Sequence, residues 1–131
     1  MMVYLSVPII ANRSIGRAQL LAKAIVDAGH DLTSPWVLRD AETRPASSIN
    51  IFARDKAAVE SSDAILADVS MPSVGVGMEV MIAYSLGKRV ILVSQEGSVV
   101  TRMLTDMDGA GWVRFADDSL RGGRRKALGR R

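Results

Sequence analysis

A doubly wound α/β domain is the fold this chain predicts, with about five parallel strands and helices on both faces of the sheet. Short apolar runs of strand length alternate along the chain with segments of helical spacing, as successive βαβ units do. One run, "DAILADV" at residues 63–69, is apolar on both faces of a strand, which a central parallel strand covered on both sides requires. At 131 residues the chain is long enough for one such core and short for two. The class is Rossmann-like or flavodoxin-like, with right-handed crossovers.

In chain order, "MVYLSV" at residues 2–7 is a buried first strand. Ser14 caps a helix to about Ala28, in which Ile15, Ala18, Leu21, Ala22, Ile25 and Val26 recur at helical spacing and which Gly29 stops. A second strand is expected at residues 36–38, followed by a loop over 39–50 with Pro45 and its serines as turn material. Ser47 or Ser48 starts a helix through Glu60 with Ile51, Phe52, Ala57 and Val59 on its inner face. The central strand then leads through a loop of small residues into a helix over 77–86. A strand "RVILVS" at 89–94, a short helix over 99–107 and a strand "GWVRF" at 111–115 complete the series. The domain is expected to span 1–118, and 119–131 to form a basic tail.

Composition narrows the chemistry. An apolar share of 48% and a charged share of 24% fit an ordinary globular chain. No apolar run is long enough to span a membrane and no signal-like segment opens the sequence, so a cytoplasmic protein is expected. The absence of cysteine excludes disulfides, thiol catalysis and cysteine-ligated metals, and a single histidine argues against a histidine-built metal centre. The reading therefore requires no cofactor and rests on carboxylates, hydroxyls, backbone amides and arginines. His30, just after the first helix, is a helix-end or surface residue with no catalytic part.

The net charge of +3 is unevenly spread. "SLRGGRRKALGRR" at 119–131 holds six Lys/Arg and no acid, leaving eleven basic against fourteen acidic residues in the body. The tail reads as a solvated end, with contact to nucleic acid or another polyanion as the alternative; it has no aromatic residue on which a base could stack.

In open α/β sheets, ligands bind beyond the carboxyl ends of the strands, where the strand order reverses. The turn after Val7, the loop after Leu38 and the loop over residues 70–77 end there. Ser73, Gly75 and Gly77 offer a hydroxyl and unobstructed amides at a helix start, suited to a phosphate or simply to a tight turn. The loop is neither a P-loop nor a dinucleotide fingerprint. Glu79 follows it, as a first-turn acid complementing the helix dipole or as a reactive group. With Asp55 on the preceding helix it would make the carboxylate pair that cleaves glycosidic bonds. Tyr4 in the first strand, and Asp63 and Asp68 flanking the central one, fit packing and strand ends equally well. Trp36 is a core residue or a surface for a base.

The segments "VYLSVP", "RDKAAVESSDAILADVS" and "PSVGVGMEVMIAYSLGKRVILV" together resemble the nucleoside 2-deoxyribosyltransferase superfamily, nearest its 2′-deoxynucleoside 5′-monophosphate N-hydrolase branch. The ordered set Tyr4, Asp55, Asp63, Ser73, Gly75, Gly77 and Glu79 is the most specific part. The resemblance implies that Glu79 is the nucleophile at the anomeric carbon. It implies further that Asp55 orients the sugar or protonates the leaving base, that Tyr4 assists, and that Ser73 with the amides around Gly75 binds the 5′-phosphate. It also implies a homodimer with a shared pocket, with Thr101 in "SVVTRML" standing where the partner chain contributes a serine. The helix start beside Glu79 is expected to keep that acid ionised.

One departure concerns the first turn. The hydrolase branch carries a Gly-Ser-Ile-Arg-like sequence there, whereas this chain has Val7, Pro8, Ile9 and Ile10, and Pro8 donates no N–H. A proline there is closer to transferase members; Arg13 is a candidate replacement for the missing cation. Three functions follow: hydrolysis of a deoxynucleoside monophosphate, deoxyribosyl transfer between bases, and nucleotide sensing without turnover.

Overall fold

The computed structural model describes residues 1–9, 15–39 and 49–116. Five parallel strands form one sheet: β1 (Met2–Ser6), β2 (Asp31–Leu32), β3 (Ala64–Asp68), β4 (Arg89–Gln95) and β5 (Gly111–Phe115), in the order β2-β1-β3-β4-β5. Among the described residues, the α-helices α1 (Ile15–Asp27), α2 (Ile51–Glu60), α3 (Val74–Ser85) and α4 (Arg102–Thr105) join them. The strand order reverses between β1 and β3, and the carboxyl ends of these two strands flank the crevice where such sheets bind ligands.

Each face of the sheet has its own core. Leu5, Leu21, Ile25, Leu66, Val93 and Phe115 pack on the α1 side. Tyr4, Val59, Ile65, Val80, Val90 and Leu92 pack on the side of α2 and α3. Because side chains alternate along a strand, Tyr4 and Ser6 share the second face while Leu5 points to the first. That alternation directs two hydroxyls of β1 toward α3.

The second strand is shorter and earlier than expected. Residues 31–32 pair with β1, and residues 35–38 form a 3-10 turn in place of a strand. Pro35 can donate nothing to a ladder, and the buried Ser34 hydroxyl takes over its work. Ser34 Oγ accepts from the Leu5 amide at 2.9 Å and donates to the Leu5 carbonyl at 2.8 Å.

Three helix boundaries also differ. Asn50 caps α2 by accepting from the Ala53 amide at 2.9 Å, and Ser47 and Ser48 lie outside the described residues, as does Ser14 before α1. Ile51, Phe52 and Ala57, assigned above to the inner face of α2, are exposed; Val59 is the buried residue. α3 begins three residues before Gly77, because Ser73 Oγ accepts from the Val76 amide at 3.3 Å and caps it. α4 is a single turn capped by Thr101. The tail at 119–131 lies outside the described residues.

Acids at the ends of β3 serve the fold. Asp68 is buried, pairs with Arg17 Nε at 2.9 Å and accepts from the Ser70 amide at 3.0 Å, closing the turn that leads to α3. Arg17 also donates to Gln95 Oε1 at 3.1 Å, so α1 is tied to the ends of both β3 and β4. Asp63 accepts from the Met2 amide at 2.8 Å. His30 sits past the end of α1 against the N-terminal amine, 2.9 Å from its Nδ1, in keeping with a helix-end residue.

Candidate active site

Glu79 lies in the second turn of α3, not the first, and its side chain turns in toward β1. Tyr4 Oη donates to Glu79 Oε2 at 2.6 Å, and Ser6 Oγ donates to Oε1 at 2.6 Å. Both carboxylate oxygens are thus held by hydroxyls from one strand face, which fixes the plane of the carboxyl group. Ser6 is absent from the candidates drawn above, although its place two residues after Tyr4 on the same strand was signal enough.

Asp55, from α2, stands near enough to Glu79 for its carboxyl to raise the Glu79 pKa. Two negative charges side by side are disfavoured, so the two carboxyls favour one proton between them. Burial is the largest influence on Glu79 and pushes its pKa up from 4.5 to about 7. The hydroxyls of Ser6 and Tyr4 oppose this by favouring the ionised form, while Asp55 adds to the rise. The expectation that the helix start keeps Glu79 ionised is thereby corrected. A dipole effect fades beyond the first turn, and desolvation outweighs it. Burial, with Glu79 beside it, also lifts the Tyr4 phenol well above its usual range, so Tyr4 stays a donor.

A further pair frames Asp55. Arg54 Nε donates to Asp55 Oδ1 at 2.8 Å, and the Arg54 guanidinium lies 4.2 Å from the Trp36 ring centroid. Trp36 in turn meets the Tyr4 ring edge-on, centroids 6.3 Å apart at 64°.

The remaining candidates lie around the start of α3. Ser73, Gly77 and Thr101 line a cavity of about 450 Å³ whose wall is otherwise apolar, with Met71, Val74, Met81, Val99, Met103 and Leu104. Tyr4, Asp55 and Glu79 do not line that cavity, so the predicted residues divide into an acidic cluster and an apolar groove. Ser73 and Thr101 each use the side-chain oxygen as a helix cap. Gly75 and Gly77 stand inside α3, where a Cβ on either would meet nothing within 4 Å. Packing within the chain therefore does not require glycine at these two positions, and each costs the helix roughly 0.5–1 kcal/mol relative to alanine. Pro8 is buried and Ile9 exposed just past β1. Arg13 lies outside the described residues. No group of three or more metal-ligating side chains occurs among the described residues, and none of their helices is long and apolar enough to cross a membrane.

Comparisons with known proteins bear on this geometry. The family model for nucleoside 2-deoxyribosyltransferase matches residues 3–117. A protein of Methanococcoides burtonii, provisionally named 2′-deoxynucleoside 5′-phosphate N-hydrolase 1, is 34% identical over 90 residues, covering 66% of this chain and 73% of that one. A Thermofilum pendens protein of the same provisional name is 32% identical over 94 residues, 70% of this chain and 66% of its own. Among solved structures, the Clostridium botulinum CMP N-glycosidase superposes with a TM-score of 0.64 at 20% identity, over 93% of this chain and 97% of that one. A 2-deoxyribosyltransferase from Bacillus psychrosaccharolyticus gives 0.69 at 19% identity, over 89% and 87%. The two structures share the fold of this chain.

Proposed function

Because the chain belongs to the nucleoside 2-deoxyribosyltransferase family, we propose that it is an N-glycosidase. In this reading it hydrolyses the base–sugar bond of 2′-deoxynucleoside 5′-monophosphates to free base and sugar 5-phosphate. The observation that carries the reading is the Glu79 carboxyl, gripped by Tyr4 and Ser6 and facing Asp55. A 2-deoxyribosyl centre has no electron-withdrawing 2′-hydroxyl, so an oxocarbenium-like transition state is accessible and a close carboxylate stabilises or traps it.

Glu79 attacks C1′ as the C1′–N bond breaks, and the departing base takes the pair's shared proton from Asp55. Water then attacks C1′ of the sugar ester and gives a proton to Asp55, which frees the Glu79 carboxylate. Tyr4 and Ser6 keep the carboxyl plane constant through both steps. Ser73 and the first amides of α3 hold the 5′-phosphate in this scheme, a role that the free space at Gly75 and Gly77 accommodates.

A homodimer completes the proposed pocket. Val74, Val99 and Met103 are each more than four-fifths exposed around the apolar groove, an arrangement that suits a second copy better than solvent. Met103→Asp is expected to convert a dimer to a monomer in sedimentation and to lower activity with it. A dimer that persists at the same strength would remove this interface from consideration.

The runner-up is deoxyribosyl transfer, favoured by Pro8 in the first turn. Incubating a deoxynucleoside monophosphate with and without a second free base decides between them. Equimolar base and sugar phosphate, unaffected by the added base, is the expected result; base exchange faster than hydrolysis would make the protein a transferase. Tight binding of the nucleotide by calorimetry without base release would make it a sensor.

A further inference from the structure

We propose that Arg54, stacked on Trp36, is a positioning residue that clamps Asp55 against Glu79, and that Trp36 couples this clamp to Tyr4. The inference rests on the glycosidase reading for its kinetic consequences and on geometry for its substance. Successive residues of a helix point about 100° apart and do not face each other, so an ion pair between positions 54 and 55 needs the arginine to fold back along α2. Trp36 supplies the reason: its ring lies 4.2 Å from the guanidinium and holds it over the helix, with Nε 2.8 Å from Asp55 Oδ1. Arg54 thus occupies one oxygen of Asp55, and the other is left for Glu79 and the leaving base.

Trp36 is itself firmly placed. It stands on the 3-10 turn Pro35–Leu38, whose cap residue Ser34 bonds both the amide and the carbonyl of Leu5. Leu5 lies between Tyr4 and Ser6, so the turn that carries Trp36 is riveted to the strand that grips Glu79. The same indole meets the Tyr4 ring edge-on. One tryptophan therefore touches both arms of the carboxyl pair: Tyr4 on the Glu79 side, and Arg54 on the Asp55 side.

Among the described residues, the charged and polar side chains bonded to the pair are Tyr4 and Ser6 from β1 and Arg54 from α2. Arg54 is the cation among them, so removing it leaves the Asp55 charge more fully felt at Glu79, which then holds its proton more tightly. Arg54→Gln is expected to lower kcat about tenfold with KM changed less than twofold, and to move the limb of the pH–rate profile set by Glu79 to higher pH. Arg54→Lys keeps the charge and loses the planar stack; it is expected to restore the position of the profile without restoring kcat. Trp36→Phe retains a ring under the guanidinium and keeps most activity, whereas Trp36→Leu behaves like Arg54→Gln.

A second readout needs no turnover. The Glu79 carboxyl is followed by carbon NMR in the ligand-free protein, with thermal melting confirming that each variant folds. An upward move of its titration in Arg54→Gln is expected even if no nucleotide is cleaved, so a failure of the glycosidase reading would be seen separately in the wild-type assay. An unchanged titration in a folded Arg54→Gln variant would overturn the clamp. So would an effect confined to KM, which would make Arg54 a substrate contact.

Discussion

Glu79→Gln is expected to abolish base release, by on the order of 10³-fold or more, and to make the protein more stable at pH 8. The first effect follows from removing the atom that forms the bond to C1′. The second follows from burial. The Glu79 carboxyl is lifted from 4.5 to about 7 in the folded chain, so the native state holds a proton that the unfolded chain has released. The stability it confers is complete below about pH 4.5 and is lost as pH rises through about 7, a change on the order of 3 kcal/mol. Glutamine never ionises, and its amide can donate toward Asp55 while its oxygen accepts from Tyr4. Thermal unfolding at pH 4.5 and pH 8 checks this. The variant is expected to melt several degrees above wild type at the higher pH and level with it at the lower. An equal difference at both values would mean that buried charge is not its cause.

Asp55→Asn is the second large effect, expected to lower kcat by about 10²–10⁴-fold, the usual range for losing a general acid. The isostere keeps the shape of the clamp and its contact with Glu79 but has no carboxyl proton to give. The loss should therefore depend on the leaving group. Nucleotides whose base departs without protonation are expected to lose far less than those with an ordinary base, in single-turnover measurements across a short series. A uniform loss would assign Asp55 to sugar binding instead.

Much of this arrangement was legible in the residues. The apolar runs at 2–7, 63–69, 89–94 and 111–115 correspond to β1, β3, β4 and β5, and in β3, buried throughout, coverage on both faces leaves little choice of composition. The second strand was not legible. Trp36, Val37 and Leu38 look like strand residues, yet Pro35 and one serine hydroxyl bonded to Leu5 divert them into a turn. The start of α3 was hidden for a similar reason, since a glycine-rich stretch reads as loop until Ser73 is seen to cap it.

The site was legible in its members more than in its physics. Tyr4, Asp55 and Glu79 stood out through resemblance to a family, and periodicity alone did not bring 55 and 79 together. The electrostatic balance at Glu79 depends on how much of the carboxyl is desolvated, a tertiary property that its position near a helix start conceals. Arg54 was invisible as a partner of Asp55, because neighbours on a helix do not face each other unless a third group folds one back. That third group, Trp36, is eighteen residues away and needed the turn to place it.

The stereochemistry of solvent capture tests the covalent role of Glu79 most directly. Nucleotides carry the base on the β face, so attack by Glu79 from the opposite face, followed by attack of solvent on the ester, restores the β configuration. With methanol present during turnover, the methyl glycoside of the sugar phosphate identified by proton NMR is expected to be the β anomer. The α anomer, formed by a single displacement with solvent as the attacking group, would contradict the account.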